Sequence, residues 1–546
     1  MRIELIDNGT KQQVIDSILE RINVLEKRST KGITKGELLE VLKVFIEEVK
    51  ADLKRDLVLE DRLRTVSTAG QLSREKGTVF DVYERRTNSG KNLGLASAVI
   101  GYGHKTISEH DYLVFGLQDV SRFVEQTLIS YRLTSFTIKS GRNVDFRTAG
   151  YYVPDFRDKK GNILPNNEEL KDTYRKYMDT LFEKYGEYVD SGVPVEEARY
   201  ALPFGYRTNI VMGCDANEFF RITCDLLYGK ASRITELHDV GLQFEKIIRE
   251  RCPYLSESLD KEAKNKKHAD HLEFLDKKLG KINDLELFYD SAFDYTGSRS
   301  PILDRENDLL DRVNLISYTP NPVNVIAIHA IAKRYGVSYE MAEEMLYRFT
   351  RMEDINKADI VNGVYRNRRQ RELEQVSFTF EAPIELSILP QMTRHRMQSL
   401  EVPDFFPLWN VRNHLYPAHD QDENVHIDEA EYEDLFEKNA LMLEMFKKEG
   451  IRDEDLIYFY LGGNACNIMT TMNARELIWF SRMRSCNKAQ RSIRNISNQM
   501  VTEVSKVSSD IGALLGPSCK VDGVCPEGKD SCKLRGVVVL KKEKKD

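Results

Sequence analysis

The sequence predicts a tandem duplication, two copies of one mixed domain of helices and strands with a helical hairpin in front. Two observations predict it. The chain has 546 residues, more than one hydrophobic core usually serves, so two domains or two copies of one are expected. The order of elements also returns along the chain: a strand alternating apolar and polar residues, a helix carrying a basic cluster, a helical spacer and a long terminal helix. With 41% hydrophobic and 31% charged residues and a formal net charge of -7, the composition is that of an ordinary globular protein rather than a disordered or fibrous one. That charge gives long nucleic acid no general attraction, although a local basic pocket for a small phosphate stays open.

The hairpin is read from Val14, Ile18, Ile22 and Leu25, then Leu38, Leu42, Phe45, Val49 and Leu53, at helical spacing with a break at Ser29-Thr30-Lys31-Gly32. It lies within an N-terminal helical segment assigned to residues 1–60. The first copy is assigned to 61–290, where Leu113, Phe115 and Leu117 alternate as in a strand and Glu168 to Val189 reads as a helix. From Ser256 to Lys281 charge dominates, as on a solvated helix or linker face, and the boundary is expected between there and Arg305. The second copy is assigned to 291–546, where Phe378, Phe380 and Ala382 repeat the alternating strand. A continuous helix is expected from Asn473 to Ser497. Met1 to Gly9 lacks the basic and apolar regions of a secretory signal, and no run reaches the roughly 18 apolar residues of a spanning helix. A cytoplasmic protein without a membrane partner is the expectation.

Three clusters carry chemistry. In Gln391-Met392-Thr393-Arg394-His395-Arg396 two guanidinium groups flank an imidazole. Such groups resist burial without anionic partners, which leaves an anion site and a surface charge cluster equally open. The Asn473 helix carries Asn473, Arg475, Arg484, Lys488 and Arg494; on a continuous helix Asn473 and Arg484 share a face and Lys488 falls one turn on. Taken alone, that stripe is better read as a solvated face. In the first copy Gly103-His104, Thr106 and Glu109-His110 precede the strand, and Ser140-Gly141-Arg142 comes later. A hydroxyl, an approachable backbone N–H and a guanidinium suit a phosphate, though such tripeptides are common by chance.

The order of these motifs resembles the flavin-dependent thymidylate synthases. Their pattern runs through Gly-His and Glu-His, a Phe-rich strand, Arg-His-Arg with a trailing Ser-x-Arg, Ala-Arg-x-x-Leu-Pro, and an Asn-Ala-Arg helix ending near Ala-Gln. The first copy has Gly103-His104 and Glu109-His110, Ser130-Tyr131-Arg132 in the signature slot, Ser140-Gly141-Arg142, and Ala198-Arg199-Tyr200-Ala201-Leu202-Pro203. The second has Glu374, Gln391, Arg394-His395-Arg396, Asn473-Ala474-Arg475, Arg484 and Ala489-Gln490, with Asp404-Phe405-Phe406 where the trailing element belongs. The first copy's Asn-Ala-Arg slot reads Asp215-Ala216-Asn217, and Leu226 stands where the helix Arg would be. Each copy thus keeps what the other has lost. In the family, neighbouring subunits of a homotetramer contribute these two halves, so two paired copies would form one composite site per chain.

The resemblance implies an α+β fold for each copy, a mixed sheet flanked by long helices, with which the strands and helices above are compatible. It implies an enzyme, an FAD-dependent methyltransferase that reductively methylates dUMP to dTMP. Methylenetetrahydrofolate is the implied donor, NADPH the electron source, and a homodimer forming a pseudo-tetramer the implied assembly. Ser140, Gly141, Arg142 and Arg199 are expected to hold the phosphate and sugar, and Gln391, Arg394 and Arg484 the uracil, with Arg484 and Arg394 as the catalytic cations. Arg394, His395, Arg396, Asn473, Arg475 and Lys488 are expected at the flavin, with Thr106 and Glu109 or Glu374 nearby. Two departures from the pattern stand out: Ile138 and Val402 where an acidic residue belongs, and Lys488 where a flavin-contacting His belongs. They leave two alternatives open, another uracil-containing substrate or a non-catalytic nucleotide-binding scaffold.

Eight cysteines are few for this length, and five are scattered, which speaks against a disulfide framework. Cys519, Cys525 and Cys532 cluster near the end. With a fourth ligand such as Cys486 or a histidine they could hold zinc or an iron–sulfur centre. The spacing is no CxxC pair, free or redox-labile thiols are an equal expectation, and no metal is assigned.

Overall fold

The computed structural model describes residues 2–5, 43, 57–265, 313–351, 356–402, 414–417, 425–528 and 531–532. Residues 14–53 of the expected hairpin, Lys43 apart, the boundary region and Asp404-Phe405-Phe406 lie outside the described residues; Arg2–Leu5, expected within the helical segment, is instead a strand, because it pairs antiparallel with residues 115–118. Among those described, two four-stranded sheets share one order. Strands β1 (Arg2–Leu5), β2 (Tyr112–Ser121), β3 (Thr134–Ile138) and β4 (Arg207–Asp215) run β1-β2-β4-β3. Strands β5 (Asn314–Tyr318), β6 (Ser377–Glu385), β7 (Ser399–Glu401) and β8 (Ala465–Asn473) run β5-β6-β8-β7.

The helices repeat as well. After β2 come α1 (Arg122–Leu128), then β3, α2 (Asn167–Asp190), β4, α3 (Ala216–Tyr228) and α4 (Thr235–Arg251). After β6 come α5 (Leu389–Thr393), then β7, α6 (Glu429–Lys448), β8, α7 (Ala474–Arg484) and α8 (Arg491–Val507). The class is α+β, with the same fold laid down twice.

Alternation builds the strands. Leu113, Phe115 and Leu117 are buried on β2, and Phe378, Phe380, Ala382 and Ile384 on β6, since side chains two apart share a face. β6 pairs antiparallel with β8, placing Phe378 opposite Met472 and Phe380 opposite Thr470. Each fourth strand runs straight into a capped helix. Asp215 accepts the Glu218 N–H at 2.9 Å, and Asn473 accepts the Glu476 N–H at the same distance. Both satisfy a donor that the first helical turn leaves orphaned.

The helix expected over Asn473–Ser497 is two helices, α7 and α8. The break follows from competing hydrogen bonds. The Ala489 N–H donates to the Cys486 carbonyl (2.8 Å), Arg494 Nη1 donates to the Asn487 carbonyl (2.7 Å), and Gln490 is extended, with φ -54° and ψ 143°. Asn473 is the cap of α7, and Lys488 lies in the turn, off the helix face assigned to it.

The chain forms two compact units that do not follow its two halves. One comprises Met1–Val120, Leu133–Lys139 and Thr208–Asn283; the other comprises Ser121–Arg132, Ser140–Arg207 and Asp284–Asp546. The first packs Phe115, Phe219 and Phe244 together, with ring centroids 4.4 Å apart for Phe115–Phe219 and 4.8 Å for Phe219–Phe244. Its buried Asp111 is held by Arg62 (3.3 Å) and the Tyr254 hydroxyl (2.6 Å).

The second unit joins equivalent pieces of both copies. Helix α2 meets α6, where the Tyr177 hydroxyl donates to Asn439 Oδ1 (2.9 Å), and Phe156 packs on Phe446 (5.1 Å). The segments before β4 and β8 exchange backbone bonds: Phe204 N–H to Tyr460 O (2.6 Å), Gly462 N–H to Leu202 O (2.9 Å) and Gly463 N–H to Tyr200 O (2.9 Å). Gly462 is required here, because a Cβ would come within 2.6 Å of the Arg199 carbonyl oxygen. No helix of the described residues is long and apolar enough to cross a membrane.

Candidate active site

The second unit gathers the residues singled out in both copies around Gln490. The break between α7 and α8 turns this side chain inward, where it is 2% exposed. Its Oε1 accepts from Arg199 Nη2 at 2.6 Å and from Gln391 Nε2 at 2.6 Å. Its Nε2 donates to the Tyr200 hydroxyl at 3.3 Å. One acceptor thus ties an arginine of the first copy to a glutamine of the second. Gln391 is itself buried, and its Oε1 has no hydrogen-bond partner. A buried amide oxygen left unmatched is costly, so it marks a position where a ligand N–H would be taken up.

Arg199 is 5% exposed and has hydrogen bonds to Gln490 and the Glu196 carbonyl. Burial, then the field of Arg122, lowers its pKa. Gly141 sits against it: a Cβ there would lie 3.1 Å from Arg199 Nη1 and 3.6 Å from the Tyr206 hydroxyl. Arg142 pairs with Glu196 (2.6 Å), and its Nη2 donates to the Lys488 carbonyl (3.3 Å). The Ser140 hydroxyl accepts from the Arg142 N–H (3.3 Å) and Asn143 Nδ2 (3.2 Å), keeping its own proton to donate.

Arg484 Nε donates to His395 Nε2 at 3.0 Å. The accepting nitrogen must be unprotonated, which places the imidazole proton on Nδ1, 3.4 Å from Glu476 Oε1. That separation is an ion-pair distance without hydrogen-bond geometry, as His395 Nδ1 has no hydrogen-bond partner. Burial first, with Arg484 and Arg394 beside it and against the pull of Glu476, holds His395 below the usual histidine range. Burial and two neighbouring cations, Arg394 and Arg142, bring Arg484 down to about 10. It remains charged near neutrality, with the guanidinium groups of Arg394 and Arg142 beside it. Such a cluster calls for an anion or for electron-rich oxygens.

The remaining expected residues lie as follows. Arg394 and Arg396 are exposed at the end of α5. Arg475 pairs with Glu374 at 2.5 Å. In the other unit Asn217, in the slot of Arg475, donates to Glu109 Oε1 at 3.2 Å, so both copies link an acid on the turn before the strand to the third residue of the capped motif. Thr106 is exposed on that turn, Lys105–His110. Lys488 is exposed, with Nζ 3.7 Å from Glu527. Leu226, in the slot of Arg484, is fully buried core. Sequence reading left three contributors without a role: Glu196, Glu476 and Gln490. The signal for Glu476 was Asn473-x-x-Glu476, a helix-start pattern matched by Asp215-x-x-Glu218.

The family model described as thymidylate synthase complementing protein matches residues 57–254 and again 314–508. The flavin-dependent thymidylate synthase of Clostridium tetani is 35% identical over 237 residues, which is 40% of this chain and 92% of that protein. That of Geobacter sulfurreducens is 27% identical over 188 residues, 34% of this chain and 74% of that protein. A relative's length fits within less than half of this chain, as two copies require. Among solved structures, the UMP/dUMP methylase PolB of Streptomyces cacaoi, bound with 5-Br dUMP, is 20% identical with a TM-score of 0.31, covering 36% of this chain and 90% of that one.

Proposed function

The chain belongs to the thymidylate synthase complementing protein family, and from that premise we propose that it is a flavin-dependent thymidylate synthase with one composite site per chain. It reductively methylates dUMP to dTMP, with methylenetetrahydrofolate as one-carbon donor, FAD as cofactor and NADPH as electron source. One observation carries the reading. Arg199 of the first copy and Gln391 of the second converge on the Gln490 oxygen, beside the Arg142, Arg394 and Arg484 cluster.

The residues present fit a pyrimidine nucleotide and a flavin. Gln391 Oε1, buried and unpartnered, would accept an imide N–H of the uracil. Arg484 and Arg394 would donate to its carbonyl oxygens and stabilise the charge that develops as C5 becomes nucleophilic. Ser140, Gly141, Arg142 and Arg199 would hold the phosphate and sugar. Reduced FAD, when bound, supplies the hydride, so no protein nucleophile is required. His395, Arg396, Asn473, Arg475, Lys488 and Glu374 are assigned to the flavin side, together with Arg394. Glu109, with Thr106 on the same turn, is the first copy's counterpart of Glu374 and is assigned the same kind of contact. His395 acts through Arg484, whose Nε it holds, and is a positioning residue.

We keep residues 61–290 as the copy with the phosphate half-site and 291–546 as the copy with the Arg-His-Arg half-site; ahead of them Arg2–Leu5 is strand β1 of the first sheet, not part of a helical segment. A homodimer would give a pseudo-tetramer, which light scattering would test. The central test is the absorbance spectrum of the purified chain, titrated with dUMP, followed by turnover. Flavin near one per chain, perturbed by dUMP, with turnover abolished in Arg484→Ala, is expected. The acidic contact missing at Ile138 and Val402 favours a second reading, a different uracil-containing substrate, which bound flavin with inert dUMP would support. Failure to bind FAD after reconstitution would leave a non-catalytic nucleotide-binding scaffold.

A further inference from the structure

The chemistry above uses no cysteine, yet the eight cysteines fall into two sets. Cys214, Cys252 and Cys466 are buried and Cys224 is half-buried, and burial pushes the pKa of each thiol up. They are scattered through the packed interior, protonated and inert. The other four, Cys486, Cys519, Cys525 and Cys532, line one recess with Arg482 and Lys488. Cys486 is the anchor, in the turn between α7 and α8, and the other three come from the C-terminal tail.

Contacts independent of sulfur dock that tail on α7. Arg482 Nη1 donates to the Gly516 carbonyl (2.6 Å), its Nε is 3.1 Å from Asp522, and the Gly516 N–H donates to the Ser481 hydroxyl (3.0 Å). Lys488 Nζ reaches Glu527. The fourth ligand that the tail lacks in sequence is therefore supplied by the segment it packs against.

We propose that Cys486, Cys519, Cys525 and Cys532 bind one thiophilic metal centre, which fastens the tail to the turn carrying Lys488 and Gln490. Zinc fits best. It takes four thiolates in a closed structural site, and the sixth- and seventh-residue spacings lack the tight Cys runs of ferredoxin-type clusters. As each metal–sulfur bond forms, the thiol releases its proton to solvent; four thiolates around Zn2+ leave a double negative charge, close to the Arg482 and Lys488 cations that line the recess and also pair with Asp522 and Glu527. Zinc undergoes no redox change. Among the described residues no three such ligands already stand at metal-binding spacing. The four sulfurs must therefore draw together as the metal binds, which is usual where binding and ordering are coupled.

The test is elemental analysis of the full chain purified without chelator, with X-ray absorption at the metal edge. About one zinc per chain, with a shell of four sulfurs near about 2.3 Å, is expected. Iron with acid-labile sulfide on the same four cysteines would also support the thiolate centre. Cys525→Ser and Cys486→Ser should lose the metal at least tenfold, while Cys224→Ala keeps it. Should the serine variants fail to fold, differential alkylation of the unmodified chain decides: these four thiols should be protected until the metal is stripped. A chain that stays metal-free after incubation with zinc and desalting, or one with disulfides among these four cysteines, would overturn the proposal.

Discussion

Gln490 accepts two hydrogen bonds on one oxygen, both from buried donors, so its removal should have a large effect. Gln490→Leu leaves Arg199 Nη2 and Gln391 Nε2 without that acceptor, at a cost of about 1–3 kcal/mol of folding stability, readable as a lower urea midpoint at unchanged m-value. The same variant should abolish the dUMP-induced change in the flavin spectrum; a variant with wild-type response would remove Gln490 from the site. His395 gives a pH prediction. Its folded pKa lies below the unfolded value of about 6.5 because burial and then Arg484 and Arg394 oppose its protonation. Between the two values the unfolded chain binds more protons, so the stabilisation is present above the unfolded pKa and is lost as pH falls through the folded one. The stability advantage of wild type over His395→Gln should therefore shrink from pH 7 toward pH 5 in denaturant titrations, and a pH-independent difference would refute the assignment. The guanidinium clusters stood out in the sequence because such groups are poor core material, but taken alone they left a solvated surface open, and the role of each residue came from the order of motifs. Gln490 was visible only as half of an Ala-Gln pair, since its role depends on a break in the helix that spacing alone does not reveal.

At the scale of elements, the central strands β2 and β6 were read, whereas their central partners β4 and β8 and the edge strands were not. On β6 the apolar residues alternate because one face is fully buried, whereas β5 is an edge strand with Ile316 and Tyr318 52% and 43% exposed, and an edge without a buried face leaves no alternation to read. The continuous helix over Asn473–Ser497 failed for a different reason. Its residues suit a helix, but the backbone bonds closing the Cys486–Ala489 turn and the Arg494 contact to Asn487 depend on packing that no periodicity encodes. The paired caps offer a matched experiment. Asp215→Ala and Asn473→Ala remove the same kind of bond at the start of equivalent helices, so each should lower stability by about 1 kcal/mol. Only Asn473→Ala should also weaken FAD binding, measured by flavin retention through desalting. Equal loss of flavin in both variants would show that Asn473 acts as a cap and nothing more.

Across the whole molecule, duplication was legible as a repeated order of motifs and recurs as one strand order laid down twice. What the sequence could not convey is that the compact units cut across the copies, with residues 140–207 of the first copy folded into the unit that holds the second. The consequence is that residues of the two copies meet within one chain: Arg199 and Gln490 are 291 positions apart and joined at 2.6 Å, and on the proposed reading the two half-sites share that chain. In a homotetramer with shared sites, chains defective in different halves can restore each other's activity when mixed. Here they should not. Arg199→Ala and Arg484→Ala chains, each inactive, should remain inactive when co-expressed with distinguishable tags and purified as a mixed assembly, because every chain carries its own broken site. Recovery toward about one quarter of wild-type turnover, the share expected when sites are built at random between neighbouring chains in a symmetric assembly, would place the working site between chains. A chain carrying both substitutions, mixed with wild type, separates this outcome from assembly failure: it should lower activity only in proportion to its share of the chains.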